Sequence, residues 1–384
     1  MRNTLLIASA FGGLVAALPQ KINIAAAEAV PIPAILGPNP TKTAETSTYN
    51  QAAATKAAFA AVVNAGAIVK GTGPGAGKRD VNVNDACALQ PGGAGSVPED
   101  DSVDGYLAST NSLRKAAREA STPSGYTKSF TDLTGSTEQI GYMTYKNIED
   151  GTYNVDQCAA FCDSEKFCLG FNIFAERDPK YNPAPDCTNP QPITNIKCSL
   201  YGYPVTAKTA TNQGQWREQF HVVITASNGY SKLDGSACKP VPTVAGFNAP
   251  ANLPAAINAP LITKDGSEYD TYNGMRLFNT NPYDPSLCAA ACQAQTDFDK
   301  NHLANAKGEY KPCNFFTSYI LTKNGVPLGT YCALYTQAWG ADKAVNTGYF
   351  DGDDTYSVIC AASYTATTLD SGVLPSAPAP AGRS

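Results

Sequence analysis

Cysteine is the residue type with the greatest capacity for chemistry in this sequence, and its spacing is regular. The 384 residues include 12 cysteines but only two histidines. Two Cys-x3-Cys pairs, Cys158/Cys162 and Cys288/Cys292, place both sulfurs of a pair on one face if the segment is helical. Such a pair is half of a zinc site, but no second close pair or histidine accompanies it. We therefore expect disulfides, with no metal site and no cofactor.

No arrangement of catalytic residues accompanies the cysteines. The sequence contains no Gly-x-Ser-x-Gly nucleophile motif, and neither His221 nor His302 has a matching nucleophile. The acidic run at residues 351–354 offers carboxylate oxygens of the kind that bind Ca²⁺. The glutamate that closes a twelve-residue calcium loop is missing, however, so this run predicts a hairpin turn. The sequence therefore favours a non-catalytic protein.

The beginning of the chain indicates export. A basic start and an apolar run that ends near Leu18 predict a signal peptide at residues 1–17, because the run is too short to span a membrane. Residues 18–79 contain no cysteine and end at Lys78-Arg79 after a Gly/Pro-rich stretch. This composition predicts a propeptide that a dibasic-specific protease removes. A disordered linker that is never cleaved is the alternative.

The charge divides at the same point. Residues 1–79 contain seven basic and two acidic side chains, whereas residues 80–384 contain 21 basic and 31 acidic ones. An acidic mature chain argues against nucleic acid as a partner. An even cysteine count in an exported chain is typical of a disulfide framework. We expect a secreted protein, located outside the cell or in the cell wall.

The cysteines belong to a pattern that occurs twice. Each copy reads Cys-x3-Cys, then Cys-x-x-aromatic, then Cys-x-Leu-Tyr, and the copies lie about 130 residues apart. This order predicts two homologous domains with loops of different length. The members are Cys158, Cys162, Cys168 and Cys198 in the first copy, and Cys288, Cys292, Cys313 and Cys332 in the second.

Each copy opens with the signals of a helix start. Asn154 and Asp284 are favoured N-caps four residues before the first cysteine, and Pro285 fits the first helical position. The segments that follow are rich in β-branched and aromatic residues, which predicts strands. We expect an α+β fold in which each domain packs one helix on a curved antiparallel sheet.

This pattern resembles the PAN/apple family, in which a helix lies in a curved antiparallel sheet. The first copy is also similar to a group of secreted filamentous-fungal proteins. The resemblance covers residues 123–232 and 238–364. It leaves residues 80–122 as an N-terminal extension and residues 365–384 as a disordered tail. It implies modules that bind protein or carbohydrate rather than catalyse a reaction.

The resemblance also implies a disulfide pairing. In the family, the first helix cysteine joins the late strand cysteine and the second helix cysteine joins the early one. The implied pairs are Cys158–Cys198, Cys162–Cys168, Cys288–Cys332 and Cys292–Cys313. Four cysteines remain, and they allow three pairings. Some apple domains close their ends with a third bridge, which favours Cys238–Cys360 and leaves Cys87–Cys187.

Four residues are candidates for ligand contact. Trp216 and Trp339 each lie in a glycine-containing loop after the late cysteine, where an aromatic ring either stacks on a sugar or packs half-buried. Arg177 and Asp178 form either an internal ion pair that fixes a turn or part of a ligand site. We expect a protein without a membrane span that recognises carbohydrate or protein. A structural or effector-type interaction module and an unrecognised extracellular hydrolase are the alternatives.

Overall fold

A computed structural model describes residues 22–63, 84–235, 237–239, 241–264 and 266–372. The predicted signal peptide, the Lys78-Arg79 cleavage site and most of the tail lie outside the described residues. The fold is α+β, with antiparallel sheets and few helices, as the sequence predicts. Within the described part of the chain, no helix is long and apolar enough to cross a membrane.

The predicted helix starts are confirmed. The Asn154 side chain accepts a hydrogen bond from the backbone N–H of Gln157, and the Asp284 side chain accepts one from Ser286. Both caps satisfy donors that would otherwise lack partners at a helix start. The α-helices are α1 Ile24–Glu28, α2 Gln51–Val63, α3 Val103–Leu107, α4 Ser112–Glu119, α5 Val155–Ser164 and α6 Pro285–Phe298.

The first sheet has six antiparallel strands in the order β1-β6-β3-β4-β2, and β5 pairs with β6 as a hairpin. Its strands are β1 Thr127–Leu133, β2 Tyr142–Asn147, β3 Gly170–Pro179, β4 Pro192–Tyr201, β5 Gly214–Arg217 and β6 Phe220–Ser231. A two-stranded ribbon follows, β7 Leu233–Asp234 with β8 Ala237–Cys238.

The second sheet has six strands in the order β13-β15-β14-β18-β17, and β9 pairs with β18. Two short pairs, β10 with β16 and β11 with β12, lie outside it. The remaining strands are β9 Ala251–Asn252, β10 Ala256–Ile257, β11 Ile262–Lys264, β12 Ser267–Tyr269, β13 Tyr272–Phe278, β14 Phe315–Lys323, β15 Val326–Tyr335, β16 Ala344–Asn346, β17 Gly348–Asp351 and β18 Asp354–Thr365.

The two sheets share one strand order. The series β5-β6-β3-β4-β2 of the first sheet corresponds to β17-β18-β14-β15-β13 of the second. Their registers correspond as well, because Cys198 pairs with Ile173 as Cys332 pairs with Ser318. Positions in one sheet can therefore be matched to positions in the other, residue by residue.

Six disulfides hold these elements together, and every cysteine is used. Four of them join α5 to β4 and to the residues before β3, and α6 to β15 and to the residues before β14, while the other two are long-range links. The pairs are Cys87–Cys187, Cys158–Cys198, Cys162–Cys168, Cys238–Cys360, Cys288–Cys332 and Cys292–Cys313. Four of these are the pairs that the family resemblance implies, Cys238–Cys360 is the third bridge that it favours, and Cys87–Cys187 is the pair that then remains.

The first sheet packs against more than the single helix expected. Leu113 and Ala117 of α4 and Tyr106 of α3 are buried in the same core as α5. Leu113 and Ala117 are four residues apart, so they share the helix face that meets the sheet. The extension at residues 84–122 is thus part of the first core and adds two helices to the one expected within residues 123–232.

Residues 22–63, which we call the N-terminal segment, fold against both sheets. Ile24 and Ala27 are buried against the second sheet, and Ala58 and Val62 of α2 pack in the core that contains α6. Between these helices, Ala44 forms a β-bridge to the first sheet. The alternative of a disordered linker is therefore wrong for this segment, since its apolar side chains are buried in two clusters of the second sheet and its backbone pairs with the first sheet.

Candidate functional site

The most exposed aromatic side chain of the first sheet lies near the tip of the β5–β6 hairpin. The Trp216 side chain is 66% exposed. It lies opposite His221 in the hairpin, and the two rings stack with centroids 4.2 Å apart and planes 7° from parallel. Trp216 therefore presents a flat ring to solvent with a fixed orientation.

Arg177 supports this hairpin from within the sheet. It is buried, its Nη1 donates to the backbone oxygen of His221 at 2.9 Å, and its Nε donates to the backbone oxygen of Asp101 at 3.1 Å. The guanidinium also lies 4.2 Å from the centre of the Phe220 ring, in cation–π contact. Arg177 thus positions the strand that bears His221, and it does not reach the surface.

Arg217 fastens the other side of the hairpin. Its Nη2 donates to Asn182 Oδ1 at 2.7 Å and to Gln90 Oε1 at 3.1 Å. The stretches that supply these two acceptors are linked by the Cys87–Cys187 disulfide. Such bracing limits the conformational entropy that the Trp216 surface loses when a ligand binds.

The second sheet has an exposed aromatic at the matching position. Phe350 is 78% exposed on the β17–β18 hairpin, two residues after Gly348, as Trp216 is two residues after Gly214. Both glycines have positive φ, 104° and 127°, and a Cβ on either would collide with a carbonyl oxygen of the facing strand. The shared Gly-x-aromatic motif is the signal that identifies Phe350, which our sequence analysis missed.

The acidic run forms the predicted hairpin turn. Asp351 pairs with Asp354 at the end of β17 and β18, and the Asp354 carboxylate lies 2.8 Å from the Lys323 ammonium. Among the described residues, no group of three or more His, Cys, Asp or Glu side chains is arranged to hold a metal ion.

Trp339 does not share a surface with Trp216. It is partly buried against the second core, and its Nε1 donates to Thr271 Oγ1 at 3.0 Å. Of the two alternatives that the sequence offers for a tryptophan here, stacking on a sugar or half-buried packing, Trp339 shows the second. Of the four candidate ligand residues, Trp216 is the one whose side chain is largely exposed.

Asp178 belongs to a buried cluster of charges on the first sheet. The Lys197 ammonium donates to the Glu176 carboxylate and lies 3.5 Å from Asp178 Oδ2, which also accepts from Asn195 Nδ2 at 2.7 Å. The interpretation of Arg177 and Asp178 as an ion pair is therefore wrong. Consecutive residues of β3 point to opposite faces of the sheet, so their side chains diverge.

The environment of this cluster alters its titration. Burial raises the pKa of Glu176 above its ordinary value, and the nearby Asp178 carboxylate raises it further. Burial alone would lower the pKa of Lys197, but the carboxylates of Asp178 and Glu176 outweigh that effect and raise it. The Lys197 ammonium therefore stays charged, and Glu176 accepts a proton more readily than an ordinary glutamate.

The second sheet has uncharged residues at two of the three matching positions. By register, Leu321 corresponds to Glu176 and Tyr331 corresponds to Lys197. Leu321 and Tyr331 are buried in an apolar core against α1. The shared fold therefore does not require the buried Lys197–Glu176 ion pair, which occurs in the first sheet and has no equivalent at the matching positions of the second.

Comparison of the chain with protein-family models, with curated proteins and with solved structures finds no match.

Proposed function

We propose that this chain is a secreted, non-catalytic protein that binds carbohydrate at the cell wall or outside the cell through two PAN/apple-like domains. The observation that carries the proposal is the exposed Trp216 ring, stacked on His221 and braced by Arg177 and Arg217. The apolar face of a sugar ring packs on such an aromatic face, while its hydroxyls need polar partners beside it. The exposed Gln215 and Glu218 side chains lie in the same hairpin.

Repetition supports a functional reading of this surface. A single exposed aromatic is common on protein surfaces and needs no explanation. Here the two hairpins place an exposed ring at one matching position, Trp216 and Phe350, although the buried faces of their sheets differ in chemistry. The common strand order of the two sheets also supports the pair of homologous domains.

Export is supported by the disulfides. Six bridges in one chain are typical of an oxidising compartment such as the cell exterior. The acidic charge of residues 80–384 favours neutral ligands over nucleic acid.

The test is retention on insoluble polysaccharides, with chitin, cellulose and β-1,3-glucan as the panel. We expect the full-length secreted protein to be depleted from solution by at least one of them. Trp216→Ala should weaken that retention at least tenfold, whereas Leu303→Ala, which removes a side chain 61% exposed elsewhere, should change it less than twofold. Failure of every polysaccharide to retain the protein would reject the carbohydrate proposal.

A protein-interaction module is the second candidate, and Phe350 favours it. This ring is 78% exposed beside Asp351 and near the Lys323–Asp354 ion pair, an apolar spot within charges that resembles the centre and rim of a protein interface. Crosslinking in culture medium should then yield one discrete partner whose capture is lost with Phe350→Ala and kept with Leu303→Ala. Equal capture by both variants would exclude this surface.

A further inference from the structure

We propose that a cavity between the N-terminal segment and the two sheets is a binding site for an uncharged small amphiphile. The cavity has a volume of about 400 Å³, within the range of small-molecule sites. Three stretches of chain form its walls: part of residues 33–57, residues 139–143 after β1, and residues 278–282 after β13. The site is separate from both hairpins.

One part of the wall is apolar. Ile140 and Phe278 are buried there, and Met143 and the small side chains of α2 complete the surface. The alanines of α2 leave space where larger residues would fill the gap. An alkyl chain or an apolar ring is the chemistry that this part of the wall accommodates.

The other part of the wall is polar but uncharged. Asn50, Asn279 and Asn281 supply amides, and no charged side chain lines the cavity among the described residues. An ionised ligand would lose its hydration without gaining an opposite charge, which is unfavourable. The wall therefore favours a neutral ligand with hydroxyl or amide groups.

Gln139 shows one hydrogen bond that the protein leaves unmade. Its side chain is 1% exposed, and its Nε2 donates to the backbone oxygens of Tyr203 and Pro204 at 3.2 and 3.3 Å. Its Oε1, on the same cavity-lining residue, has no hydrogen-bond partner. A buried acceptor without a donor is costly, but solvent does not reach this oxygen, so the amides of Asn50, Asn279 and Asn281 are the polar groups that the wall offers to a ligand.

The chain beside the cavity is unusually apolar for a surface. Ile32, Ile35 and Leu36 are 78%, 44% and 40% exposed, and Leu36 itself lines the cavity. Three large exposed aliphatic side chains within five residues form an apolar surface beside the cavity. Together with the neutral amides inside, this arrangement selects a molecule that has both an apolar body and a polar, uncharged group.

The methionines allow a direct test. Met143 lines the cavity, whereas Met275 lies in β13 outside it, and the third methionine is Met1. In protein labelled at the methionine methyls, octyl glucoside below its micelle concentration should shift the Met143 resonance in a saturable manner and leave Met275 unchanged. Methyl glucoside lacks the chain and octyl sulfate carries a charge, so each should bind at least tenfold more weakly.

Two variants of α2 provide the matched control. Ala53 lines the cavity and Ala60 does not, and both are exposed. Ala53→Trp should weaken octyl glucoside binding at least tenfold, whereas Ala60→Trp should change it less than twofold, with the Met275 resonance reporting an intact fold. The proposal is overturned if Met143 does not shift, if Met275 shifts equally, or if octyl sulfate binds as tightly. Retention on polysaccharide through Trp216 is a separate readout.

Discussion

Replacing Lys197 with methionine tests the energetic role of the buried charges. The Lys197 side chain is 2% exposed and is the only cation in contact with Glu176 and Asp178 among the described residues. Methionine keeps the length and apolar volume of the side chain but removes its charge. Two carboxyl groups are then left in a site that solvent does not reach.

The expected loss is large and depends on pH. Removing one partner of a buried ion pair costs about 3–5 kcal/mol, so we expect a loss of that size at pH 7. Without the ammonium, one more carboxyl must stay protonated in the folded state. For each additional proton that the folded state binds, the free energy of unfolding falls by about 1.4 kcal/mol per unit rise in pH. The loss should therefore shrink by about 2–3 kcal/mol between pH 7 and pH 5.

The wild-type protein should respond to pH in the same direction, but less steeply. Because the pKa of Glu176 is raised in the folded state, its contribution is present at low pH and is lost as the pH rises above the ordinary value of 4.5. The raised pKa of Lys197 has the same sign and acts only at alkaline pH.

Urea unfolding with intact disulfides, at pH 5, 6, 7 and 8, measures these free energies. Lys115→Met is the control, since Lys115 is 65% exposed and its ion pair with Glu119 should contribute little. A triple variant combines Glu176→Leu and Lys197→Tyr, which introduce the residues found at the matching positions of the second sheet, with Asp178→Asn, which removes the remaining charge. It should recover most of the stability. A Lys197→Met loss below about 1 kcal/mol, or one equal at pH 5 and pH 8, would refute the reasoning.

Three further predictions concern the cross-links and the N-terminal segment. Tyr49→Phe removes the 2.7 Å hydrogen bond to the buried Asp284 carboxylate and should lower the free energy of unfolding by about 1.5–3 kcal/mol in urea; an unchanged midpoint would contradict it. Replacing Cys238 and Cys360 with serine opens a loop of 122 residues and should cost about 4–5 kcal/mol, whereas peptide mapping that finds other partners would disprove the pairing. Protein cleaved after Arg79 should keep residues 22–63 bound in native size-exclusion chromatography and release them in urea without reductant, because that segment contains no cysteine; release under native conditions would argue against this retention.

The spacing of the cysteines by itself determines much of the architecture. Cys158 and Cys288 follow their N-caps at a fixed spacing, and the strands follow in regular order, so local rules placed both helices. These features depend on residues that are close in sequence, or on disulfide bonds among a small number of cysteines. Their prediction therefore required no knowledge of packing.

Local sequence patterns predict only part of the candidate site. The Gly-x-aromatic motif is local in sequence, so it can identify Trp216 after Gly214 and, in the same way, Phe350 after Gly348. Arg177 and Asp178 do not form the expected ion pair because strand β3 extends to Pro179 and sends the two side chains to opposite faces of the sheet. Where a strand ends is decided by its neighbours in the sheet.

The sequence by itself determined the duplicated disulfide frame, the helix starts and the acidic charge of residues 80–384, since each is a local pattern or a count. Only the tertiary structure decided that residues 22–63 fold against both sheets, that Lys197 is buried between two carboxylates, and that a neutral cavity lies where three distant stretches meet. Ala-rich and Pro-rich composition looks alike in a linker and in a packed segment. The difference lies in the apolar surfaces available to cover it. These come from residues distant in sequence, such as Tyr331, which lies in the same core as Ile24 and accepts a hydrogen bond from the Asn23 backbone, 308 positions before it.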